Sequence, residues 1–500
     1  MPRYSSTQFY KDWRYAVEKN FTTGNGEPFP FAEGGEKKWG DEIKKLSFRE
    51  EPHDGCISSD GTRMAIAVRH DIHIVDTDSW ETIAVLKGHT SRVNAVAFQS
   101  NDANTLVSSA QHDYGRSEPG AKPTLIVWKI DRLGDLKALE GTSLSNVSEI
   151  AAAAADRELA RLGVELMRDK VQELAKGLEA TIHHVVTENL VKDATTICGR
   201  LQTSFQSQVF SPSGKWMVYM PEERPPSNSN APWDIVICGT DDYRPRVTLK
   251  GHTDAITWMG WNRDESIIAT VAWDGTIRIW NPVTGIQTHR FETECQNWTG
   301  TFSADSKHFV ATDGKGRIHT YAISQDEPSE RTIEVEGAQG WRRAAAWHPS
   351  GKWLAVGGDR LGGLLLVDVA EQKIIQERSL STKASHGTEE TKRMMQRCLG
   401  VSEVCFVDHG HKLAVWTYGD SSIEVYDLMQ QVRWRFGRGG TDEKETPGGE
   451  WVDEEGSVTS QGGRGMLCWE DASRGRLMLA SIDFDAVRIW LIELSGEPSS

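Results

Sequence analysis

Residues 251–281 read GHTDAITWMGWNRDESIIATVAWDGTIRIWN, and this stretch decides the fold of the chain. Apolar and β-branched residues recur over Ile256–Trp261, Ile267–Val271 and Thr276–Trp280, which predicts three consecutive β-strands. Asp274-Gly275 is a tight-turn signal between the second and third strands, because glycine adopts the left-handed backbone region without steric cost. The stretch therefore predicts one small antiparallel sheet.

Eight turn signatures of this kind, flanked by apolar strands, recur along the chain. They are Ser58-Ser59-Asp60-Gly61, Gln99-Ser100-Asn101-Asp102, Ser211-Pro212-Ser213-Gly214-Lys215, Asn262-Arg263-Asp264-Glu265, Ser303-Ala304-Asp305-Ser306-Lys307, His348-Pro349-Ser350-Gly351-Lys352, Asp408-His409-Gly410-His411-Lys412 and Asp471-Ala472-Ser473-Arg474-Gly475. A single small sheet cannot bury both of its faces, so such units are stable only when they stack on neighbours. The pattern predicts a repeat protein in which each repeat is one sheet.

The best repeat resembles the WD-repeat family of β-propellers, with the Trp-Asp pair of that family replaced by Trp280-Asn281. In the family, a His, a Ser or Thr, an Asp and a Trp form a hydrogen-bonded chain within one sheet. The resemblance implies such a structural tetrad at His252, Thr270, Asp274 and Trp280. The chemistry is consistent, because carboxylate, imidazole and hydroxyl can each accept a hydrogen bond from the next group. We interpret His252 as structural rather than catalytic.

The other repeats match the family less completely. Gly88-His89 with Ser108 or Ser109, Asp113 and Trp128 forms a second, stretched tetrad. The last unit keeps Ser481, Asp485 and Trp490 but has no Gly-His pair before them. The remaining units end their third strand at Val75, Ile237, Tyr321, Val367 or Tyr426. We expect these units to be held by packing alone.

The fold class expected from the resemblance is all-β, a closed β-propeller of four-stranded blades. Eight blades are favoured if every turn signature marks a blade, and seven remain the alternative if residues 401–436 or 464–494 pack differently. The third strand of the last unit is Val487–Leu491, and few residues follow it to form the outer, fourth strand of that unit. We expect Ile43–Phe48 to supply that strand and so to remove an open sheet edge.

Four segments stand outside the simple repeat, which spans residues 43–500. Residues 1–42 contain nine aromatic residues and are expected to be an N-terminal arm partly packed on the propeller. Residues 141–200 carry a helical insertion, around residues 145–198, because leucines recur there at three- and four-residue steps. Residues 380–399 are a charged loop with a short helix over Glu389–Arg397. Residues 437–465 are an acidic, Gly-rich loop.

Composition limits the classes of function. The formal net charge is −16, which argues against direct nucleic-acid binding and favours basic partners. No apolar run approaches the roughly 20 residues of a membrane span, and the N-terminus lacks a signal core, so a cytoplasmic and/or nuclear location is expected. The seven cysteines form no C-x-x-C pair, which argues against a zinc site or a disulfide framework. The oligomeric state stays open.

Catalytic motifs are missing from the sequence. It contains no P-loop, no G-x-S-x-G and no H-E-x-x-H, so no catalytic residue, metal or cofactor is expected. We therefore expect a non-enzymatic protein-protein interaction scaffold or an adaptor subunit of a larger complex. One alternative is an acidic, dedicated chaperone of a basic client such as a ribosomal protein or histone. A second is a propeller enzyme with its site in the central channel.

Two surfaces are candidates for partner binding. Counting back from the large residue that ends each first strand places a set of side chains on the top rim of the propeller: Arg92, Asn94, Trp273, Gln296, Trp298, Trp341 and Arg343. Trp and Arg are enriched among residues that dominate binding energy at interfaces. The tryptophans could instead fill gaps between blades. The second surface is the leucine stripe of the insertion helix, Leu159, Leu166 and Leu174, which covers either the propeller or a partner.

Overall fold

The computed structural model describes residues 15–110, 123–130, 195–226, 231–323, 329–335, 340–382, 399–419, 421–437, 463–471, 473–483 and 486–494, with the helical residues 153, 157, 159–161, 170–171 and 177. The chain divides into a smaller unit, His53–Leu201, and a larger unit, Met1–Pro52 with Gln202–Ser500. Nearly all described elements are β-strands. The predicted all-β class is confirmed, and the blade count stays a prediction.

The strands form a succession of antiparallel sheets along the chain. The N-terminal residues contribute β1 (Tyr15–Lys19), β2 (Phe31–Lys38) and β3 (Lys44–Ser47). Two sheets follow, β4 (Pro52–Ile57), β5 (Arg63–Val68), β6 (Asp71–Asp76) and β7 (Thr82–Lys87), and then β8 (Val93–Gln99), β9 (Asp102–Ala110), β10 (Thr124–Lys129) and β11 (Thr195–Arg200).

The larger unit continues with six further groups of strands, of which the last five each belong to a separate sheet. Their strands are β12 (Trp216–Pro221), β13 (Trp233–Gly239) and β14 (Pro245–His252); β15 (Ile256–Trp261), β16 (Ile268–Ala272), β17 (Thr276–Trp280) and β18 (Gln287–Glu292); β19 (Asn297–Phe302), β20 (His308–Asp313), β21 (Ile318–Ala322) and β22 (Ser329–Ile333); β23 (Arg342–Trp347), β24 (Trp353–Gly358), β25 (Leu364–Asp368) and β26 (Lys373–Thr382); β27 (Val401–Val407), β28 (Lys412–Thr417), β29 (Ile423–Asp427) and β30 (Val432–Gly437); and β31 (Gly463–Asp471), β32 (Arg476–Asp483) and β33 (Ala486–Glu493).

The N-terminal strands complete three of these sheets. β3 pairs antiparallel with β33, with Leu46 opposite Val487, which confirms the outer strand predicted at residues 43–48. β1 pairs antiparallel with β26, and β2 pairs parallel with β30. Between β1 and β2, Phe21 is fully buried, and its ring centre lies 4.5 Å from that of Tyr426. The three strands within residues 15–47 therefore cover sheet edges that would otherwise be open.

The predicted turns share one hydrogen bond. The backbone N–H of the fourth turn residue donates to the carbonyl of the first in Ser58–Gly61, Ser211–Gly214, Asn262–Glu265, Ser303–Ser306 and His348–Gly351, at 2.8 to 3.2 Å. The fourth residue has a positive φ in all five turns, which glycine adopts without strain in three of them. These five turn predictions are confirmed.

The hydrophobic core of the larger unit lies between neighbouring sheets. Trp258 of β15 packs on Phe309 of β20, with ring centres 5.5 Å apart, and Phe291 of β18 stacks on Tyr321 of β21 at 4.1 Å. All four belong to one buried cluster. The smaller unit has its own cluster, in which Ile72 and Trp128 are buried. This arrangement agrees with sheets that are stable only when stacked.

The structure corrects the boundaries of two predicted segments. Thr195–Arg200 is not part of the helical insertion but forms β11, whose Ile197 pairs with Leu125 of β10. The β-branched run Thr195-Thr196-Ile197 favours a strand there, and this strand pairs antiparallel with β10. The predicted acidic loop likewise ends before Gly463, where β31 begins. Most of the insertion, residues 438–462 and the helix predicted at Glu389–Arg397 lie outside the described residues.

Candidate protein-interaction site

The tetrad of the 251–281 repeat forms a continuous hydrogen-bonded chain. The Nδ1 atom of His252 lies 2.8 Å from Oδ2 of Asp274, and its Nε2 atom lies 2.6 Å from Oγ1 of Thr270. The indole N–H of Trp280 donates to the same Thr270 oxygen at 2.9 Å. The chain ties the end of β14 to β16, to β17 and to the turn between them.

The local sequence positions the tetrad through the Asp274-Gly275 turn. Gly275 has a φ of +75°, and Asp274 Oδ1 accepts from the backbone N–H of Thr276 at 2.9 Å. Burial lowers the pKa of His252, which keeps the imidazole neutral. Burial also acts to raise the pKa of Asp274, but hydrogen bonds from His252 and Thr276 outweigh it and hold the pKa well below the ordinary value. The neutral imidazole can therefore donate to Asp274 and accept from Thr270.

The smaller unit contains part of the second predicted tetrad. His89 Nε2 lies 2.6 Å from Oγ of Ser108, and Trp128 donates to the same oxygen at 2.8 Å. Ser108, not Ser109, is therefore the hydroxyl member. Asp113 lies outside the described residues, and among those described no side chain pairs with His89 Nδ1. Burial lowers the pKa of His89 to about 4.

The expectation that the remaining units rest on packing alone is wrong for the two units that end their third strand at Tyr321 and Tyr426. Arg378 Nε lies 3.0 Å from Glu424 Oε2, and each side chain is only 1% exposed. Burial acts to raise the pKa of Glu424, but the guanidinium groups of Arg378 and Arg435 outweigh it and hold that pKa at about 2. The hydroxyl of Tyr426, the residue that replaces Trp, donates to the same carboxylate. An ion pair joins β26 to β29 here.

Two further sheets use charged pairs in the same way. Asp313 at the end of β20 accepts from Arg317 Nε at 2.6 Å and lies 3.0 Å from His319 Nε2. In the last sheet, Arg488 Nε lies 3.1 Å from Asp483 and its Nη1 lies 2.8 Å from Glu42. Packing alone would leave these polar groups unpaired, and buried charges require partners. Buried charged pairs therefore stabilise both of these sheets.

An aromatic–arginine cluster spans three neighbouring sheets, those of β15–β18, β19–β22 and β23–β26. It consists of Phe205, Trp273, Trp298, Trp341 and Arg343. The Trp298 and Trp341 rings stack with centres 4.4 Å apart, and Trp273 meets Trp298 edge-on at 5.4 Å. The guanidinium carbon of Arg343 lies 4.7 Å from the Trp298 ring centre and 4.8 Å from that of Trp341. The cluster thus unites four of the predicted rim residues.

Exposure differs among the members of the cluster. Trp298 is only 4% exposed and forms the base, while Trp273, Trp341 and Arg343 are half-buried around it. The gap-filling alternative therefore describes the packing of Trp298. The half-buried side chains keep part of their surface in contact with solvent, where a partner could meet them.

A segment that the sequence analysis did not identify packs against the aromatic–arginine cluster. Residues 202–208 cross the inner strands of four sheets: Gln206 Nε2 donates to the Val404 carbonyl at 2.6 Å, and Trp258 donates to the Gln206 carbonyl at 3.2 Å. Thr299 donates to the Phe205 carbonyl at 2.9 Å. The Phe205 ring meets Trp298 edge-on at 5.5 Å. Nothing in the local pattern of this polar stretch signals such long-range contacts.

The other predicted site residues do not belong to the aromatic–arginine cluster. Gln296 is half-buried beside the cluster, and its carbonyl accepts from the N–H of Gly314 at 2.7 Å. Arg92 and Asn94 belong to the smaller unit, where Arg92 Nη2 lies 2.6 Å from His53 Nδ1 and Asn94 is exposed. Leu159 is helical and half-buried, whereas Leu166 and Leu174 lie outside the described residues.

Comparison with known protein families agrees with the sheet architecture and with the hydrogen-bonded repeats. A family model described as WD domain, G-beta repeat matches residues 80–114 and 243–281, which enclose His89 and the complete His252 tetrad. These two segments of the chain are therefore similar to WD repeats, and the succession of antiparallel sheets is consistent with a β-propeller of that kind.

Known relatives are similar over parts of the chain. Autophagy-related protein 18 from Meyerozyma guilliermondii is 29% identical over 111 residues, 21% of this chain and 20% of that protein. Protein transport protein SEC31 from Candida glabrata is 23% identical over 278 residues, 50% of this chain and 20% of that protein. The guanine nucleotide-binding protein subunit beta from Saccharomyces cerevisiae is 25% identical over 171 residues, 30% of this chain and 40% of that protein.

These relatives match only parts of the chain, so their names indicate its function only in general terms. The chain matches about a fifth of the length of the first two of these relatives. None of the three names denotes an enzyme. No helix in the described ranges has the length and apolar character needed to cross a bilayer. Among the described side chains, no group of three or more His, Cys, Asp or Glu residues is placed to hold a metal ion.

Proposed function

We propose that the protein is a non-enzymatic scaffold or adaptor subunit that binds partner proteins through the aromatic–arginine cluster. The single observation that carries the proposal is the position of Arg343, whose guanidinium lies over the Trp298 and Trp341 rings. Trp and Arg side chains supply a large share of binding energy at protein interfaces. A cluster of three tryptophans and one arginine is a composition typical of such an anchor point.

The rigidity of the cluster supports this role. Trp298 is fixed by its neighbours on both sides, and residues 202–208 hold the strands beneath it by side-chain and backbone hydrogen bonds. A surface that is ordered before binding loses little conformational entropy when a partner docks. The half-buried rings can therefore contribute contact area at low cost.

Charge indicates the kind of partner. The formal net charge of −16 speeds association with basic proteins and opposes association with nucleic acid. One relative is named as a subunit, which supports a place in an assembly of several proteins. A cytoplasmic or nuclear location is part of the same proposal.

The test is quantitative capture of partners by the full chain and by the double variant Trp341→Ala with Arg343→Ala. The proposal expects the variant to lose at least one partner that the wild-type protein captures at physiological salt, while its melting temperature shows that it remains folded. Arg343→Lys provides a milder change, because it keeps the charge but not the planar guanidinium.

The matched control removes an exposed apolar residue and an exposed arginine elsewhere. Met429 is 69% exposed, and Arg331 is exposed on β22. Met429→Ala with Arg331→Ala should retain every partner. Equal capture by the wild type and by the Trp341/Arg343 variant would contradict the proposal. A single basic client that moderate salt releases from all variants would favour the dedicated chaperone instead.

A further inference from the structure

Two cysteines that are distant in sequence face each other across neighbouring sheets. Cys405 lies on β27 and Cys468 lies on β31. Hydrogen bonds on either side of the two residues fix the register of these strands: the Met466 N–H donates to Glu403 Oε2 at 2.9 Å, and the Asp408 N–H donates to Glu470 Oε1 at 2.5 Å. Each bond joins residues two or three positions from a cysteine, so the two thiols lie between them.

The surroundings of the pair differ on its two sides. Both thiols pack against an apolar cluster that contains Trp416 and Trp490. On the other side, Cys405 lines a cavity of about 450 Å³ together with Trp347 and Phe406. Cys405 and Cys468 are both partly exposed. The cavity gives a small polar oxidant a path to Cys405, whereas Cys238 in β13 is buried.

We propose that Cys405 and Cys468 are a reversible oxidation site that takes a small hydroperoxide, hydrogen peroxide in the simplest case, and forms a disulfide between β27 and β31. Cys405 is the nucleophile and Cys468 is the resolving thiol. The proposal is independent of the aromatic–arginine cluster and of partner binding.

The electrostatics of the pair favour this division of roles. A hydrogen bond from the Cys468 thiol lowers the pKa of Cys405, against the opposing effects of burial and of the Glu403 carboxylate. The same hydrogen bond, followed by burial, raises the pKa of Cys468. Since the thiolate is the reactive form, Cys405 is the better nucleophile.

The chemistry balances with peroxide as the only co-reactant. The Cys405 thiolate attacks one peroxide oxygen, the O–O bond breaks, and the released hydroxide takes a proton to become water while Cys405 becomes a sulfenic acid. The Cys468 sulfur then attacks the Cys405 sulfur, the S–O bond breaks, and a second water leaves with the thiol proton. Two thiols are oxidised to one disulfide as one peroxide is reduced to two waters. A dithiol reductant converts the disulfide back to two thiols by thiol–disulfide exchange.

The experiment uses the purified full chain treated with hydrogen peroxide, alkylated, and digested without reduction. Trypsin leaves Cys398 and Cys405 on one peptide, so a glutamate-specific protease is added to cleave after Glu403. Mass spectrometry should detect a linked pair of peptides containing Cys405 and Cys468, lighter by two hydrogens than the free pair and lost after dithiothreitol. The melting temperature of the oxidised protein should rise and then fall again on reduction.

Variants separate the two roles. In Cys468→Ser, the linked peptides should be missing and dimedone should trap a sulfenic acid at Cys405. Cys238→Ser is the matched control and should retain the link. The proposal is overturned if Cys405 and Cys468 both stay alkylatable under conditions that oxidise the exposed Cys198. Peptide mapping of the wild-type protein decides this even if a serine variant fails to fold.

Discussion

His252 Nδ1 lies 2.8 Å from Asp274 Oδ2, and the two side chains are 1% and 4% exposed. Such a bond has few competitors from solvent, so its loss would leave a buried donor without an acceptor. It joins the strand that enters the repeat to the turn between its second and third strands. This single contact therefore couples the conformation of a turn to the position of a neighbouring strand.

Replacement of Asp274 should destabilise this repeat. Asp274→Ala is expected to lower the free energy of unfolding by roughly 1–3 kcal/mol, because the His252 donor remains buried and unpaired. Denaturant unfolding followed by tryptophan fluorescence measures the change. Asp241→Ala removes a carboxylate whose side chain is 73% exposed and should have almost no effect. An identical midpoint for Asp274→Ala and wild type would mean that His252 is solvated or paired elsewhere.

His89 predicts a pH dependence of stability in the smaller unit. Burial, with a smaller effect of His70, lowers the pKa of His89 from 6.5 to about 4. The unfolded chain binds this proton near pH 6.5, but the folded protein binds it only near pH 4. The contribution of His89 is therefore fully present above pH 6.5 and is lost as the pH falls towards 4. At about 1.4 kcal/mol for each pKa unit, the loss is about 3 kcal/mol.

Asp54 acts in the opposite direction, so the measurement must compare variants. Burial raises the pKa of Asp54 to about 7, and its contribution is lost as the pH rises through 7. The stability difference between wild type and His89→Gln should thus shrink by about 3 kcal/mol from pH 7 to pH 4. Asp54→Asn should leave that pH-dependent difference in place. A difference between wild type and His89→Gln that is constant with pH would show that His89 is solvated.

The buried pair of Arg378 and Glu424 makes a double-variant prediction. Glu424→Gln leaves the Arg378 guanidinium buried without an anion, which should cost roughly 3–5 kcal/mol. Arg378→Met combined with Glu424→Leu removes both charges and should recover most of that loss. Glu493→Gln, which breaks a pair that is 39% and 63% exposed, should cost less than about 1 kcal/mol. If the double variant loses as much stability as the two single replacements added together, the two side chains do not interact.

The role of the leucine stripe of the insertion stays a prediction, with either a partner or the propeller as the surface that it contacts. If it contacts a partner, Leu159→Asp, Leu166→Asp and Leu174→Asp together should abolish one interaction with little change in melting temperature. If it covers the propeller, the same variant should lose several kcal/mol, at roughly 2–5 for each large apolar side chain removed from a core. Thermal melting and partner capture on the same variant separate these cases. A large drop in melting temperature with all partners retained would exclude the partner helix.

Local sequence information predicted much of the fold. The bounds of β15 and β17 are those expected, and β16 is displaced by one residue, because apolar patterning and the Asp274-Gly275 turn act within a few residues. The hydrogen bonds of the His252 tetrad span at most 22 positions. Residues at such spacing lie within one repeat, so the family pattern could indicate them.

Long-range contacts could not be predicted in the same way. Gln206 and Val404 bond across 198 positions, and no short motif links them. Glu424 offered a weak signal, because it is a charged residue within the apolar strand Ile423–Asp427 and therefore requires a buried partner. The identity of that partner, Arg378, depends on how neighbouring sheets stack. The proximity of Cys405 and Cys468 depends on the same stacking.

The most direct test of the central claim places a photo-crosslinking amino acid at position 296, beside the cluster but outside its stacked rings. Irradiation during partner capture should yield adducts with the same proteins that Trp341→Ala with Arg343→Ala fails to capture. A photo-crosslinker at the exposed position 429 is the control and should yield no adduct with them. Adducts to those proteins from position 429 but none from position 296 would contradict binding at the aromatic–arginine cluster.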